Sequence, residues 1–121
     1  MGFGLLASRC AGEVSEAKAT VEQFMLAGQA YDIDGAYALC APQVNRSDVE
    51  TLIADRYDDL FQNYWSLRTS SWHIEVSGGI TTSSLEGTVV YGENFALPYE
   101  AELVKSGGEW RITYINIGMG Y

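Results

Sequence analysis

The chain has 121 residues, 47% of them hydrophobic and 19% charged, the length and make-up of one globular domain without a low-complexity tract or an internal repeat. Seven basic residues against sixteen acidic ones leave a net charge of −9, a field that repels phosphate backbones and anionic membranes and so excludes nucleic-acid binding. Two cysteines, Cys10 and Cys40, are too few for a disulfide scaffold, and a single histidine, His73, excludes a multi-histidine metal site.

Residues 1–12 are apolar and glycine-rich, too short to span a bilayer and without the positive charge that opens a signal peptide. They are expected to be disordered, or to be the trimmed end of an export signal or membrane anchor, with one domain over 13–121. Arg9 stands where a small residue normally precedes a lipidated cysteine, which argues against a lipid on Cys10. The compartment stays open.

Val14, Ala17, Val21, Phe24 and Gly28 recur at spacings of three and four and predict a first helix from Ser15 to Ala30, capped by Ser15. Gly28 near its end weakens the helix but permits close packing. Tyr31 to Gly35 form a connection, and Asp32 or Asp34 caps a short second helix with Ala36, Tyr37 and Cys40 inward; Pro42 ends it. Ser47 and Glu50 read as a capping box for a third helix that keeps its period to Tyr64. Its apolar arc is Val49, Leu52, Ile53, Tyr57, Leu60, Phe61 and Tyr64, with Asp55, Asp58 and Gln62 on the far side.

After Trp65 the period becomes two. Trp72, Ile74 and Val76 alternate with His73 and Glu75, and Gly78 and Gly79 turn the chain. Leu85, Val89 and Tyr91 line one face of a second strand, with a bulge expected at Gly87. Gly92, Glu93 and Asn94 turn into a third strand with Leu97, Tyr99, Ala101 and Leu103 inward. Pro98 there requires a side without a hydrogen-bonding neighbour. Ser106 to Glu109 form a hairpin into a last strand, Trp110 to Ile117. The fold class is therefore α+β: about three N-terminal helices packed on a curved four-stranded antiparallel sheet.

The acidic turn Asp32, Asp34, Gly35, Ala36, Tyr37 and the hairpin Gly107, Gly108, Glu109, Trp110, Arg111, Ile112 resemble the nuclear-transport-factor-2-like superfamily, the cystatin-like α+β cone. The resemblance covers residues 15–117 and is nearest to short bacterial members of unknown function. It implies a cone with a possible pocket and frequent pairing through the sheet. Isomerase-like members use a tyrosine of the first helix with two pocket acids, and this chain has no tyrosine before Tyr31. The fold hosts enzymes and binding modules alike, so function has to be read from the site.

His73 lies opposite Trp72, Ile74 and Val76 and is expected to face solvent. Asp32 and Asp34 are explained by capping, Cys40 by packing, and Asp55, Asp58 and Asp59 by a solvated helix face. Arg56 falls inside the apolar arc; it either snorkels to Asp59 or turns into the cone toward an anionic or carbonyl-bearing ligand. Phe24, Tyr37, Tyr57, Phe61, Tyr99 and Tyr114 fall on inward faces and, with Arg56, are the candidate ligand-binding set. No nucleophile with its base, metal cluster or phosphate loop can be assembled, so no catalytic residue, metal or cofactor is assigned. The expected role is a non-enzymatic module binding a small apolar molecule or a protein. The alternative is an isomerase- or dehydratase-like enzyme using Arg56 with an inward tyrosine or Asp32. The last strand reads as apolar on both faces, Ile112 and Tyr114 on one and Ile115 and Ile117 on the other. A homodimer through the outer sheet face is the expected consequence.

Overall fold

Residues spaced for helices come first and residues spaced for strands come after, and the chain builds two layers in that order. The computed structural model describes the backbone of residues 2–118 and the side chains from Val14 to Gly118. Helices α1 (Gly2–Gln29), α2 (Ile33–Ala38) and α3 (Arg46–Asp55) and a π-helical turn (Tyr57–Phe61) make the first layer. Strands β1 (Tyr64–Ser77), β2 (Ile80–Tyr91), β3 (Phe95–Ser106) and β4 (Glu109–Ile117) form the second, an antiparallel sheet in the order β1-β2-β3-β4. The fold class is the α+β arrangement expected from the pattern.

In α1, Ala17, Val21, Phe24 and Met25 have no exposed surface and form the stripe that faces the sheet. The helix already runs through Ser15, which is therefore not its cap. It ends in a Schellman arrangement: the Asp32 N–H donates to the Ala27 carbonyl at 2.8 Å and the Tyr31 N–H to the Gly28 carbonyl at 3.0 Å. Tyr31 takes the left-handed position, φ 57°, that glycine usually fills. Asp32 caps α2, one side-chain oxygen accepting from the Gly35 N–H at 3.0 Å.

Helix α3 departs from its expected start. Asn45 occupies the cap position without a side-chain bond, and Arg46, held by Asp34 at 2.6 Å, is already in the first turn. Ser47 thus lies one residue past the cap's neighbour, inside the helix, and no capping box forms. Nor is the helix continuous to Tyr64. Arg56 leaves helical geometry at φ −111°, ψ 15°, and its carbonyl accepts from both the Leu60 and the Phe61 N–H at 3.0 Å. The extra residue in this turn rotates the side chains after it about the helix axis, so the adjacent pair Leu60 and Phe61 are both buried.

Two-residue glycine turns join β1 to β2 (Gly78, Gly79) and β3 to β4 (Gly107, Gly108), with φ between 59° and 83° as the mirror-image hairpin turn requires. Pro98 lies where β4 runs out: its carbonyl accepts from the Gly118 N–H at 2.8 Å, so its missing N–H faces the side beyond the last ladder pair, Tyr99 with Ile117.

Bulges set the sheet's faces. β1 begins at Tyr64, earlier than the alternation suggests, and its register slips at Ser70 opposite Gly87. A Cβ on Gly87 would collide with the Arg68 carbonyl, so the bend expected at that glycine is real, although the extra residue belongs to β1. Trp72, Ile74 and Val76 pair with Leu85, Ser83 and Thr81 and share the helix-facing side, as their alternation predicts. They are not core residues, however. Trp72 is 53% and Val76 69% exposed, because this end of β1 runs past the helices that cover Leu67 and Leu85.

Another bulge is at Thr113, whose hydroxyl donates to the Glu102 carbonyl at 3.0 Å while the register shifts between Glu102 and Leu103. It reverses the phase of β4. Ile112 and Ile117 are both buried on the helix side, Ile115 packs against the same core, and Tyr114 alone turns outward. The expected outer placement of Ile115 and Ile117 is therefore wrong, and these two residues add nothing to an apolar outer face.

Candidate functional site

A cavity of about 250 Å³ opens between α3 and β4, where the helical layer and the sheet diverge. Its walls are Phe24 of α1, Cys40 and Val44 of the α2–α3 connection, Val49 and Leu52 of α3, and Ile112 and Ile115 of β4; Asp48, Thr113 and Tyr114 add polar groups. The connection is pinned there by the sheet. The Ala41 N–H donates to the Ile112 carbonyl at 2.8 Å and the Ile112 N–H to the Leu39 carbonyl at 2.9 Å, so the segment with Cys40 lies along β4 as a short parallel partner.

Most polar groups of the cavity are already engaged by the protein. Thr113 is bonded to Glu102, the Tyr114 hydroxyl reaches a Glu100 oxygen at 3.4 Å, and the Cys40 thiol donates to the Ala36 carbonyl at 3.6 Å. Burial pushes the Cys40 thiol up to about 11, so it is protonated at neutral pH and is a poor nucleophile. Asp48, exposed at the edge, is the one carboxylate of the lining. The site can enclose an apolar body and direct a donor group toward Asp48. Two wider hollows, about 350 Å³ over Glu86 and Glu100 on the outer sheet face and about 450 Å³ beside Trp65 and Asn94, have more polar walls.

The structure brings Phe24 of the expected set to this cavity; Tyr114 borders it, but its side chain is exposed and its hydroxyl turns outward to Glu100, against the inward face expected for it. Phe61 stands behind Phe24, ring edge to face at a centroid separation of 6.5 Å. Tyr37 is half-buried against the core. The Tyr57 hydroxyl donates to the Gln29 carbonyl at 3.2 Å and its ring meets Tyr31 edge-on, which fixes it at the end of α1. Tyr99 is buried elsewhere on the sheet, its hydroxyl 2.7 Å from that of Thr69, and burial raises its ionisation above the ordinary tyrosine range.

Arg56 takes the snorkelling option: Nε pairs with Asp59 at 3.2 Å and Nη1 donates to the Ile117 carbonyl at 3.1 Å. It does not line the cavity. Asp32 is occupied as the α2 cap, so neither Arg56 nor Asp32, the residues named for an isomerase-like alternative, lines this cavity. His73 is exposed on the outer sheet face, as expected. Among the described residues no group of three or more His, Cys, Asp and Glu side chains is arranged to hold a metal ion, and no helix is long and apolar enough to cross a membrane.

Sequence reasoning missed Val44, Asp48, Val49, Leu52, Ile112 and Ile115 as a lining. Val49, Leu52 and Ile112 were legible as inward residues. What lacked a signal was Ile115, whose face depends on the Thr113 bulge.

Helices packed on one side of a curved antiparallel meander, with a cavity at the open end, define a cone-shaped α+β fold. Two solved structures place the chain more narrowly. The function-unknown protein Rv3472 of Mycobacterium tuberculosis superimposes with a TM-score of 0.62 at 16% identity, over 92% of this chain and 73% of that one. An NTF2-like protein of unknown function from Pseudomonas putida superimposes with a TM-score of 0.57 at 12% identity, over 92% and 89%. The chain has the nuclear-transport-factor-2-like fold. No protein-family model and no curated protein matches its sequence.

Proposed function

We propose that this cone-fold module binds a small, mainly apolar molecule in the cavity between α3 and β4 and performs no chemistry on it. The observation that carries the reading is the lining itself: seven apolar side chains surround a volume of about 250 Å³, and Asp48 is the one carboxylate at its edge. A cavity of that size suits a ligand of roughly ten to fifteen heavy atoms. Asp48 favours one with an amine or hydroxyl donor. The protonated Cys40 and the prior engagement of Thr113 and Tyr114 support binding over group transfer.

Leu52 is half-buried at the cavity wall, so Leu52→Trp should fill the space while leaving the core intact. Heteronuclear NMR with a panel of small apolar amines and alcohols tests the reading. Shifts clustered on Val49, Ile112 and Ile115 and lost in Leu52→Trp are expected. Binding that survives the filled cavity, or that maps away from it, would show that the site is elsewhere.

A further inference from the structure

We infer that the free edge of β1 pairs with the same edge of a second copy, antiparallel and centred on Ile74. The two edges of the sheet are treated differently. β4 is covered at Ile112 by the chain around Cys40, and the start of β1 is tied to α1 by the Gln29 side-chain amide, which donates to the Tyr64 carbonyl at 3.0 Å. Beyond the bulge at Ser70, residues Ser71–Ser77 form the outermost strand. Among the described residues, no segment pairs with their outer side. An edge of this length is normally blunted by lysine, proline or a covering loop, because its unpaired N–H and C=O groups template another strand. Ser71–Ser77 contains neither lysine nor proline.

The side chains specify the occupant. On the helix-facing side the strand carries Trp72, Ile74 and Val76, and Trp72 and Val76 are among the most exposed large apolar residues described. On the outer side it carries His73 and Glu75, whose side chains make no hydrogen bond or ion pair with the other described residues. A two-fold axis through Ile74 sets each residue opposite the one equally far on the other side. Trp72 then meets the second copy's Val76, Ile74 meets Ile74, and His73 meets Glu75 twice. One face of the joint is apolar and the other pairs an imidazole donor with a carboxylate, the cross-strand combinations that stabilise sheets. A one-residue slip from this register ruins both rows, since it sets Trp72 or Val76 against a polar partner.

Cross-linking reads the register directly. In a Cys10→Ser background, where Cys40 is buried, Ile74→Cys brings two thiols face to face, whereas Trp72→Cys leaves its copies about 13 Å apart along the strands. Mild oxidation should therefore give a covalent dimer with Ile74→Cys and not with Trp72→Cys. Light scattering on the unmodified chain should show a mass rising toward twice the monomer with concentration, and Val76→Lys should weaken that association by about 10-fold or more. Because Val76 is exposed, an unchanged melt will verify that the variant is folded. A monomer at high micromolar concentration overturns the inference. So do equal cross-linking at both positions and a dimer indifferent to Val76→Lys, the last of which would point to pairing through the outer sheet face.

Discussion

Gly28→Ala sets two known effects against each other at one buried contact. In an exposed helix the change would add about 1 kcal/mol of stability, since alanine restricts the unfolded chain and glycine does not. Here a Cβ would stand 2.7 Å from Phe61 Cε1, closer than real contacts allow. Phe61 has no exposed surface and its ring is wedged against Phe24, so it has no free volume to retreat into. Overpacking of a tight core costs about 1–3 kcal/mol, and the rigidity of both partners places this case near the upper end. The net expectation is a loss of about 1–2 kcal/mol, or a midpoint lower by roughly 3–8 °C for a domain of this size. Urea and thermal unfolding measure it. Adding Phe61→Leu should make the pair of changes less destructive than their sum by at least about 0.5 kcal/mol, because the smaller side chain vacates the space that the new methyl needs. A Gly28→Ala protein more stable than the parent would refute the reasoning, and would mean that α1 and the π-helical turn move apart freely.

Arg56→Leu should destabilise the fold by about 1–2 kcal/mol in urea titration, since it removes the guanidinium bond to the Ile117 carbonyl at the end of β4, while Asp59→Asn, at an exposed partner, should change little. Stability of Arg56→Leu equal to the parent would show that the bond contributes nothing. Alkaline pH should weaken the fold. Burial raises Cys40 from 9.0 to about 11 and Tyr64 from 10.0 to about 12, so the folded chain keeps protons that the unfolded chain has released. The stabilisation is whole below pH 9 and drains away as pH climbs from 9 toward 12, with roughly 2 kcal/mol attributable to Cys40. Cys40→Ala should flatten the lower part of that decline, and an identical slope in the variant would dismiss the thiol as its cause.

The residues that announced themselves were those whose local chemistry has one reading. Gly78 with Gly79 and Gly107 with Gly108 turn hairpins, Asp32 caps a helix, and the inward row Tyr99, Ala101, Leu103 is buried as its alternation says. What stayed hidden were changes of phase, because period arithmetic assumes that every residue advances the chain equally. The π-helical turn after Arg56 and the bulge at Thr113 each insert a residue that breaks the count. The first ends at Asp55 a helix whose period reads as continuous to Tyr64. Without the second, Ile115 and Ile117 read as outward and Ile115 drops out of the candidate site. A strand that looks apolar on both faces therefore has two explanations, an interface or a bulge, and a threonine at the point of phase change favours the bulge. The exposed end of β1 was misread for another reason: alternation gives the face of a side chain but not how far the covering layer extends.

A meander whose strands lie in chain order, joined by turns of two or three residues, forms almost entirely from contacts between neighbours along the chain. Each strand can zip onto the one before it without closing a long loop, which favours early and rapid formation of the sheet. The helices come first in the chain but cannot bury Ala17, Val21 and Phe24 until that sheet exists. The Cys40–Ile112 bridge joins the chain's first half to its final strand and closes one wall of the cavity. The apolar cavity between α3 and β4 thus has walls from both layers and from the connection that crosses between them, and it exists only where the helices have docked on the completed sheet.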